Sequence, residues 1–196
     1  MSELVGVLLA AGLGTRFEDG NKLLAPVCQR DEPIVVRAAR SFPDAVDHVV
    51  AVVGHEADAV REVVSSVVDE TVHNPDYEQG QSTSVRTGAI AARERDADAA
   101  VFLPGDMPTV DLRTVHRIVE ASREDDVDAV VPVYDGRRGN PVLFDASCFD
   151  DLADLSGDTG GRALFETVAV RRLPVEDPGI HVDVDTVDDL ASLECE

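Results

Sequence analysis

Short, continuously apolar runs recur along the chain at Val5–Ala10, His48–Val53, Ala99–Leu103 and Ala129–Tyr134. Runs of this length without polar alternation predict strands buried on both faces, as in a parallel sheet. Between them, apolar positions fall at helical spacing over Pro33–Phe42, Glu56–Val67, Ser82–Arg93 and Asp111–Arg123. In the second of these, Ala57, Val60, Val63 and Val64 share one face, and Asp111 stands where it can cap the fourth helix. Strands alternating with helices of this length predict an α/β sheet with right-handed crossovers.

The rhythm changes after Tyr134. DGRRG at 135–139 reads as a turn between two apolar runs, the second being Pro141–Phe144, which predicts a hairpin or an antiparallel excursion. Two short helical stretches follow, near Ser147–Leu152 and Gly160–Thr167, then a strand at Val168–Leu173 and a loop with Pro174 and Pro178. A final strand at His181–Val184 is expected to lead into a helix over Val187–Cys195. No repeat or linker interrupts the pattern, so residues 1–196 read as one domain.

Charge changes this picture in one respect. Thirty-nine acidic residues face 17 basic ones, a net −22, and 16 of the bases are arginine; Lys22 is the sole lysine. Such a balance argues against binding nucleic acid through its phosphates or docking on anionic membranes. The acids are interleaved with apolar runs, so the excess reads as the surface of a folded protein from a salt-rich, halophilic cytoplasm, where salt screens self-repulsion. No apolar run is long enough to span a bilayer, and the start lacks the basic segment of a secretory leader. Cys28, Cys148 and Cys195 are too dispersed for a zinc or disulfide framework and read as free intracellular thiols.

Four stretches carry candidate chemistry. Leu9-Ala10-Ala11-Gly12-Leu13-Gly14-Thr15-Arg16-Phe17, followed by Gly20-Asn21-Lys22-Leu23, begins where the first strand should end. Ligands of α/β sheets collect at such ends, and small residues let the backbone approach a phosphate. Arg16 and Lys22 add two cations able to hold a triphosphate and neutralise a leaving pyrophosphate. The loop is neither a Rossmann fingerprint, since position 17 is Phe, nor a Walker loop, since Leu23 follows Lys22. Leu103-Pro104-Gly105-Asp106-Met107-Pro108 places Asp106 at another strand end, where a carboxylate can hold magnesium (Mg2+) against phosphate oxygens.

In the third, HVDVDT at 181–186, Asp183 and Asp185 should share one face of a strand. Asp185 is then either a second magnesium ligand or a helix cap. In the fourth, Asn74, Gly80, Ser82 and Ser84 cluster at an expected helix start, either to read a base or ribose or as an ordinary cap by Ser82 or Thr83. The turns around Arg137-Arg138-Gly139-Asn140-Pro141 and Asp158 to Arg162 are further candidates for meeting an anionic acceptor.

In this order the motifs resemble the nucleotidyltransferases of molybdenum-cofactor biosynthesis, relatives of the sugar-phosphate nucleotidyltransferases. The glycine loop with NKLL is similar to the family's LA(A/G)GxSxRMGxxK signature. GDMP is similar to its metal-binding turn, and NPDYEQGQSTSV, RGNPVLF, GDTGGRAL and DVDTVDDL are similar to later blocks of its cytidylyltransferase branch.

The resemblance implies a Rossmann-like, GT-A-like three-layer α/β fold with a mostly parallel sheet and helices on both faces. It implies transfer of a nucleotidyl group from a nucleoside triphosphate to the terminal phosphate of molybdopterin. Nucleotide contacts would come from Leu9, Ala10, Ala11, Gly12, Gly14, Asn74, Gly80, Ser82 and Ser84, and phosphate contacts from Arg16 and Lys22. Asp106 and Asp185 would hold the metal, and Gly139, Asn140, Pro141, Asp158 and Arg162 the acceptor. Ala11, where guanylyltransferases usually have glycine, favours CTP over GTP. Thr15 in place of serine leans toward sugar-nucleotide relatives, Phe17-Glu18-Asp19 replaces the usual Met-Gly, and Val187 replaces a usual proline. The chain is expected to act as a cytoplasmic monomer, with a molybdoenzyme or a cofactor-handling protein as a further partner. A guanylyltransferase, a nucleotidyltransferase for a sugar phosphate or another small phospho-acceptor, a non-catalytic nucleotide-binding module and a GT-A-like glycosyltransferase are the alternatives.

Overall fold

The computed structural model describes residues 3–18, 20–27, 32–42, 44–124, 127–157 and 160–193. In chain order its elements are β1 (Leu4–Ala10), β2 (Pro26–Val27), β3 (Glu32–Pro33), α1 (Ile34–Ala39), β4 (His48–Val53), α2 (Ala57–Val64), β5 (Glu70–His73), α3 (Gln81–Glu94), β6 (Ala99–Pro104), α4 (Leu112–Glu124), β7 (Ala129–Tyr134), β8 (Arg137–Arg138), β9 (Val142–Asp145), α5 (Phe149–Ala153), β10 (Val170–Pro174) and α6 (Val187–Ser192). Short 3-10 turns fill several connections, including Lys22–Leu24, Gly160–Glu166 and Pro178–His181.

One twisted sheet organises the molecule, in the order β10-β7-β9-β6-β1-β4-β5, with β8 paired to β7. β1 lies between β4 and β6, parallel to both, and its side chains alternate between two cores. Leu4, Leu8 and Ala10 pack with α1, α2 and α4, while Val5 and Val7 pack with α3 and α5. Being buried on both faces is why β1, β4, β6 and β7 read as unbroken apolar runs. The result is the Rossmann-like α/β arrangement, mostly parallel with helices on both faces.

The expected turn after Tyr134 is a tight hairpin. Asp135 and Gly136 take positive φ values of 48° and 72°, the pairing that Asp-Gly favours, and β8 folds back on β7. β9 then inserts antiparallel between β6 and β7.

Two segments differ from the sequence pattern. β5 is a strand at the sheet edge that the apolar runs did not signal. Its ETVH sequence is only half-buried, because one side of an edge strand faces water. The expected strand at His181–Val184 is not a strand. Asp177 accepts from Gly179 N at 2.8 Å and starts a 3-10 turn that runs through His181. The chain then continues extended, outside the sheet, tied by Val184 N donating to Asp106 O at 2.9 Å. Ile180 and Val184 are buried in two separate clusters, so their spacing reflects anchoring of a loop and not strand alternation. Among the described residues no helix is long and apolar enough to cross a membrane.

Candidate active site

The ends of β1, β4 and β6 lie level, with Ala10 opposite Val53 and Leu9 opposite Pro104. Their loops emerge on one edge of the sheet, as the topology of α/β proteins requires of a ligand site. The loop after β1 turns at Gly14, whose φ of +59° is left-handed, and Phe17 N closes that turn on Gly14 O at 2.9 Å. A Cβ on Gly14 would lie 3.2 Å from Lys22 Cγ, so glycine also leaves room for the lysine stem. Asn21 caps the following 3-10 turn by accepting from Leu23 N at 3.0 Å, which fixes where Lys22 leaves the backbone.

Lys22 points inward. Its side chain is only 10% exposed, and Nζ donates to Asp106 Oδ2 at 2.7 Å and to Asp185 Oδ1 at 3.1 Å. Arg16 meets the other oxygen of Asp185 at 2.7 Å from a side chain that is 73% exposed. Burial works to lower the Lys22 pKa, but attraction and hydrogen bonds from Asp106 and Asp185 outweigh it, and the ammonium is held above its usual range. Asp183, beside this cluster, is pushed up by its own burial and by repulsion from Asp106 and Asp185.

Two backbone links fix the carboxylates. Gly105 N donates to Leu9 O at 2.9 Å, binding the Asp106 loop to the end of β1, and Val184 N binds the Asp185 segment to Asp106 O. The cap of α6 is Thr186, in a reciprocal box with Asp189, which leaves Asp185 to face the two cations.

Leu9, Ala11, Gly12, Gly14, Arg16, Lys22, Gly80, Ser84, Asp106 and Asp185 all line one cleft of about 610 Å³. Tyr77, Glu78 and Gln81 complete its wall. Other residues of the expected nucleotide set lie elsewhere. Ala10 is fully buried on the opposite face of β1. Asn74 is buried and fully engaged: its Nδ2 donates to Thr83 Oγ1 at 2.9 Å and Ser84 Oγ at 3.0 Å, and its Oδ1 accepts from Asp76 N. It ties the end of β5 to the start of α3. Ser82 is buried behind the cleft, and no side-chain hydroxyl caps α3, whose first turn starts at Gly80 with a φ of 110°.

A second cleft of about 920 Å³ shares Gln81, Pro104 and Asp106 with the first. Gly139, Asn140 and Arg162 line it, with Arg137, Arg138, His181 and Asp183. Pro141 follows a cis peptide bond from Asn140 and lies off the lining. Asp158 lies outside the described residues. Gln81, at the N-terminus of α3 and in both clefts, was not singled out from the sequence. Its only signal was its place inside the polar block before the helix.

Residues 6–174 match the family model of the MobA-like NTP transferase domain. The chain belongs to that family. This MobA-like chain is similar to the molybdenum cofactor cytidylyltransferase of Escherichia coli (strain K12), 26% identical over 190 residues that cover 96% of this chain and 94% of that protein. It is also similar to the nicotine blue oxidoreductase of Paenarthrobacter nicotinovorans, 31% identical over 199 residues, covering 97% and 96%. Among solved structures it resembles Rv0371c of Mycobacterium tuberculosis H37Rv, with a TM-score of 0.81 and 29% identity over 98% of this chain and all (100%) of that one. A further structure of Rv0371c, in complex with manganese, gives a TM-score of 0.78 at the same identity and coverage. The MobA-like chain is thus a nucleotidyltransferase by family.

Proposed function

We propose that the chain transfers a nucleotidyl group from a nucleoside triphosphate, CTP in preference to GTP, to the terminal phosphate of molybdopterin or its molybdenum cofactor, releasing pyrophosphate. The supporting observation is the position of Lys22. The one lysine of an acidic chain sits beside Arg16 and two carboxylates where the glycine-loop cleft meets a second cleft, and Asp106 lines both.

The triphosphate would lie along the loop 11–16, its charge met by Lys22 and Arg16. An acceptor phosphate oxygen, entering from the second cleft, would attack the α-phosphorus. The bond to the bridging oxygen breaks, and its electron pair leaves with pyrophosphate. The protein positions the two phosphates and stabilises the charge that develops between them. Arg16, largely exposed, is free to exchange Asp185 for a phosphate, while the buried Lys22 holds its place.

Magnesium takes one or two carboxylates and completes its shell with phosphate oxygens and water. Asp106 and Asp185 fit that donor set, because both already converge on a single cation, and they would hold the ion. When bound it would screen the negative charge of the phosphates. Ala11 lines the cleft with its side chain buried in the core beneath it, and it supports the preference for CTP through the family resemblance, since guanylyltransferases usually carry glycine at that position.

Thermal melting in about 1 M KCl with magnesium and CTP, GTP, UTP or ATP tests the nucleotide, since a ligand at 100 times its Kd adds about 2.7 kcal/mol. Stabilisation by CTP well beyond GTP, followed by pyrophosphate release on adding molybdopterin, is expected. A GTP preference would make the chain a guanylyltransferase. A folded protein that no triphosphate stabilises would overturn the reading and leave the oxidoreductase relative as the guide.

A further inference from the structure

Beyond Arg138 the second cleft opens into a hollow of about 570 Å³ whose charged lining is four arginines: Arg137, Arg138, Arg162 and Arg172. Among the described residues no carboxylate lines it, in a chain where acids outnumber bases by 39 to 17. Its floor is apolar, formed by Val131, Val133 and Phe165.

Sheet register explains why the arginines meet. Arg172 on β10 stands opposite Val131, and Arg138 on β8 stands opposite Val133. Paired residues share a face, so both arms rise from the same side of β7, one on each flank. Two strand spacings across and two residues along put their Cα atoms about 12 Å apart, close enough for both arms to reach one ligand. Phe165, stacked on Phe144, lies 5.3 Å under the Arg138 guanidinium and steadies it. The contrast with Arg171 is direct. It points to the opposite face, where it donates to Ala121 O at 2.9 Å and meets Glu124 at 3.3 Å. Arg172, one residue on, is exposed and faces the hollow with no ion-pair partner among the described residues.

Like charges gathered in a concavity repel one another and focus a positive field, and guanidinium groups bind oxyanions through paired N–H donors. We propose that this hollow is an anion-binding subsite for the acceptor. It holds a second anionic group, at the end of the acceptor remote from the phosphate that receives the nucleotidyl group. The assignment rests on the second cleft being the acceptor's, since the hollow continues that cleft through Arg137, Arg138, Gly139 and Arg162.

The test has two arms, both on the full chain at fixed KCl with the nucleotide cleft saturated by CTP. In the first, inorganic phosphate is titrated while the arginine Nε–Hε resonances are followed by NMR. Saturable shifts are expected at Arg138 and Arg172 but not at exposed Arg113 on α4. No saturable shift, or equal shifts at Arg113, overturns the subsite. In the second, turnover of molybdopterin is compared in wild type and in Arg138→Gln/Arg172→Gln. The KM for acceptor is expected to rise about tenfold or more, while the KM for CTP and the melting shift caused by CTP stay unchanged. An unchanged acceptor KM overturns the proposal. If phosphate binds as expected but wild type does not turn molybdopterin over, the subsite stands and the identity of the acceptor falls.

Discussion

Lys22 Nζ lies 2.7 Å from Asp106 Oδ2, joining residues 84 positions apart in the chain. The lysine belongs to the loop after β1 and the aspartate to the loop after β6, and the bond holds together the ends of two adjacent strands. A buried ammonium needs such a partner, and the carboxylates need the ammonium. The same groups would serve both folding and catalysis, and this separates the expected outcomes of substituting them.

Lys22→Ala is expected to lower turnover on the order of a hundredfold, because a charge stabiliser of the reacting phosphates is lost. It should also lower stability, by about 1–3 kcal/mol, since Asp106 and Asp185 are then left facing each other; their partial exposure keeps the cost below that of a fully buried pair. Asp106→Asn should cut turnover as strongly with a smaller loss of stability, because Asp185 still pairs with Lys22. Turnover and melting of both variants check this, and a variant with near-wild-type turnover removes that residue from the mechanism.

Asn74→Ala separates a strut from a nucleotide contact. Two buried hydroxyls, on Thr83 and Ser84, lose a donor, at a cost of about 1–3 kcal/mol. The melting temperature should fall while the KM for CTP changes little. A large rise in KM at unchanged stability would instead make Asn74 a ligand contact.

Gly54→Ala should narrow the nucleotide cleft from behind. A Cβ there would lie 2.7 Å from Tyr77 Cβ and 2.8 Å from Ala11 Cβ, both fixed close to the backbone. Overpacking of this kind costs about 1–3 kcal/mol. CTP affinity should fall along with stability, measured by titration calorimetry and melting; unchanged affinity would show that the cleft wall yields.

Cys148 should be chemically silent in the native protein. Burial, with Asp128 nearby, pushes its thiol up to about 11 from 9.0, so little thiolate forms near neutral pH. The folded state keeps the proton longer than the unfolded chain. The thiol's contribution to stability is therefore present below about pH 9 and lost as the pH rises toward about 11. Peptide mapping after alkylation at pH 8 should find Cys148 labelled only on unfolding, and rapid native labelling would contradict its placement.

Salt should stabilise the fold. With a net charge of −22, self-repulsion weakens as the screening length falls from about 10 Å at 0.1 M to about 3 Å at 1 M salt. A melting temperature that does not rise across that range of KCl would remove the reading of the acidic surface as an adaptation to salt.

The legible parts of the molecule share a cause. β1, β4, β6 and β7 are buried on both faces, so their sequences are apolar throughout and announce themselves. Asp111 caps α4 as its position suggested, accepting from Arg113 N at 2.8 Å. β5 stayed hidden because its edge position removes the need for an apolar face. The segment 181–184 misled because alternating Val and Asp is equally good for a strand and for a loop pinned by two separate cores.

For the site, the chain by itself determined which groups were available: a glycine loop at a strand end, one lysine, and carboxylates after β6 and near the C-terminus. These are local properties of residue type and spacing. Tertiary structure alone decided which of them meet. It brought Asp185 to Lys22 across 163 positions and put Asn74 behind the cleft wall instead of in it. It also turned Arg171 to a helix and Arg172 to an open hollow. Each of these depends on strand order and register, which follow from burying the whole sheet at once and not from any short stretch of sequence.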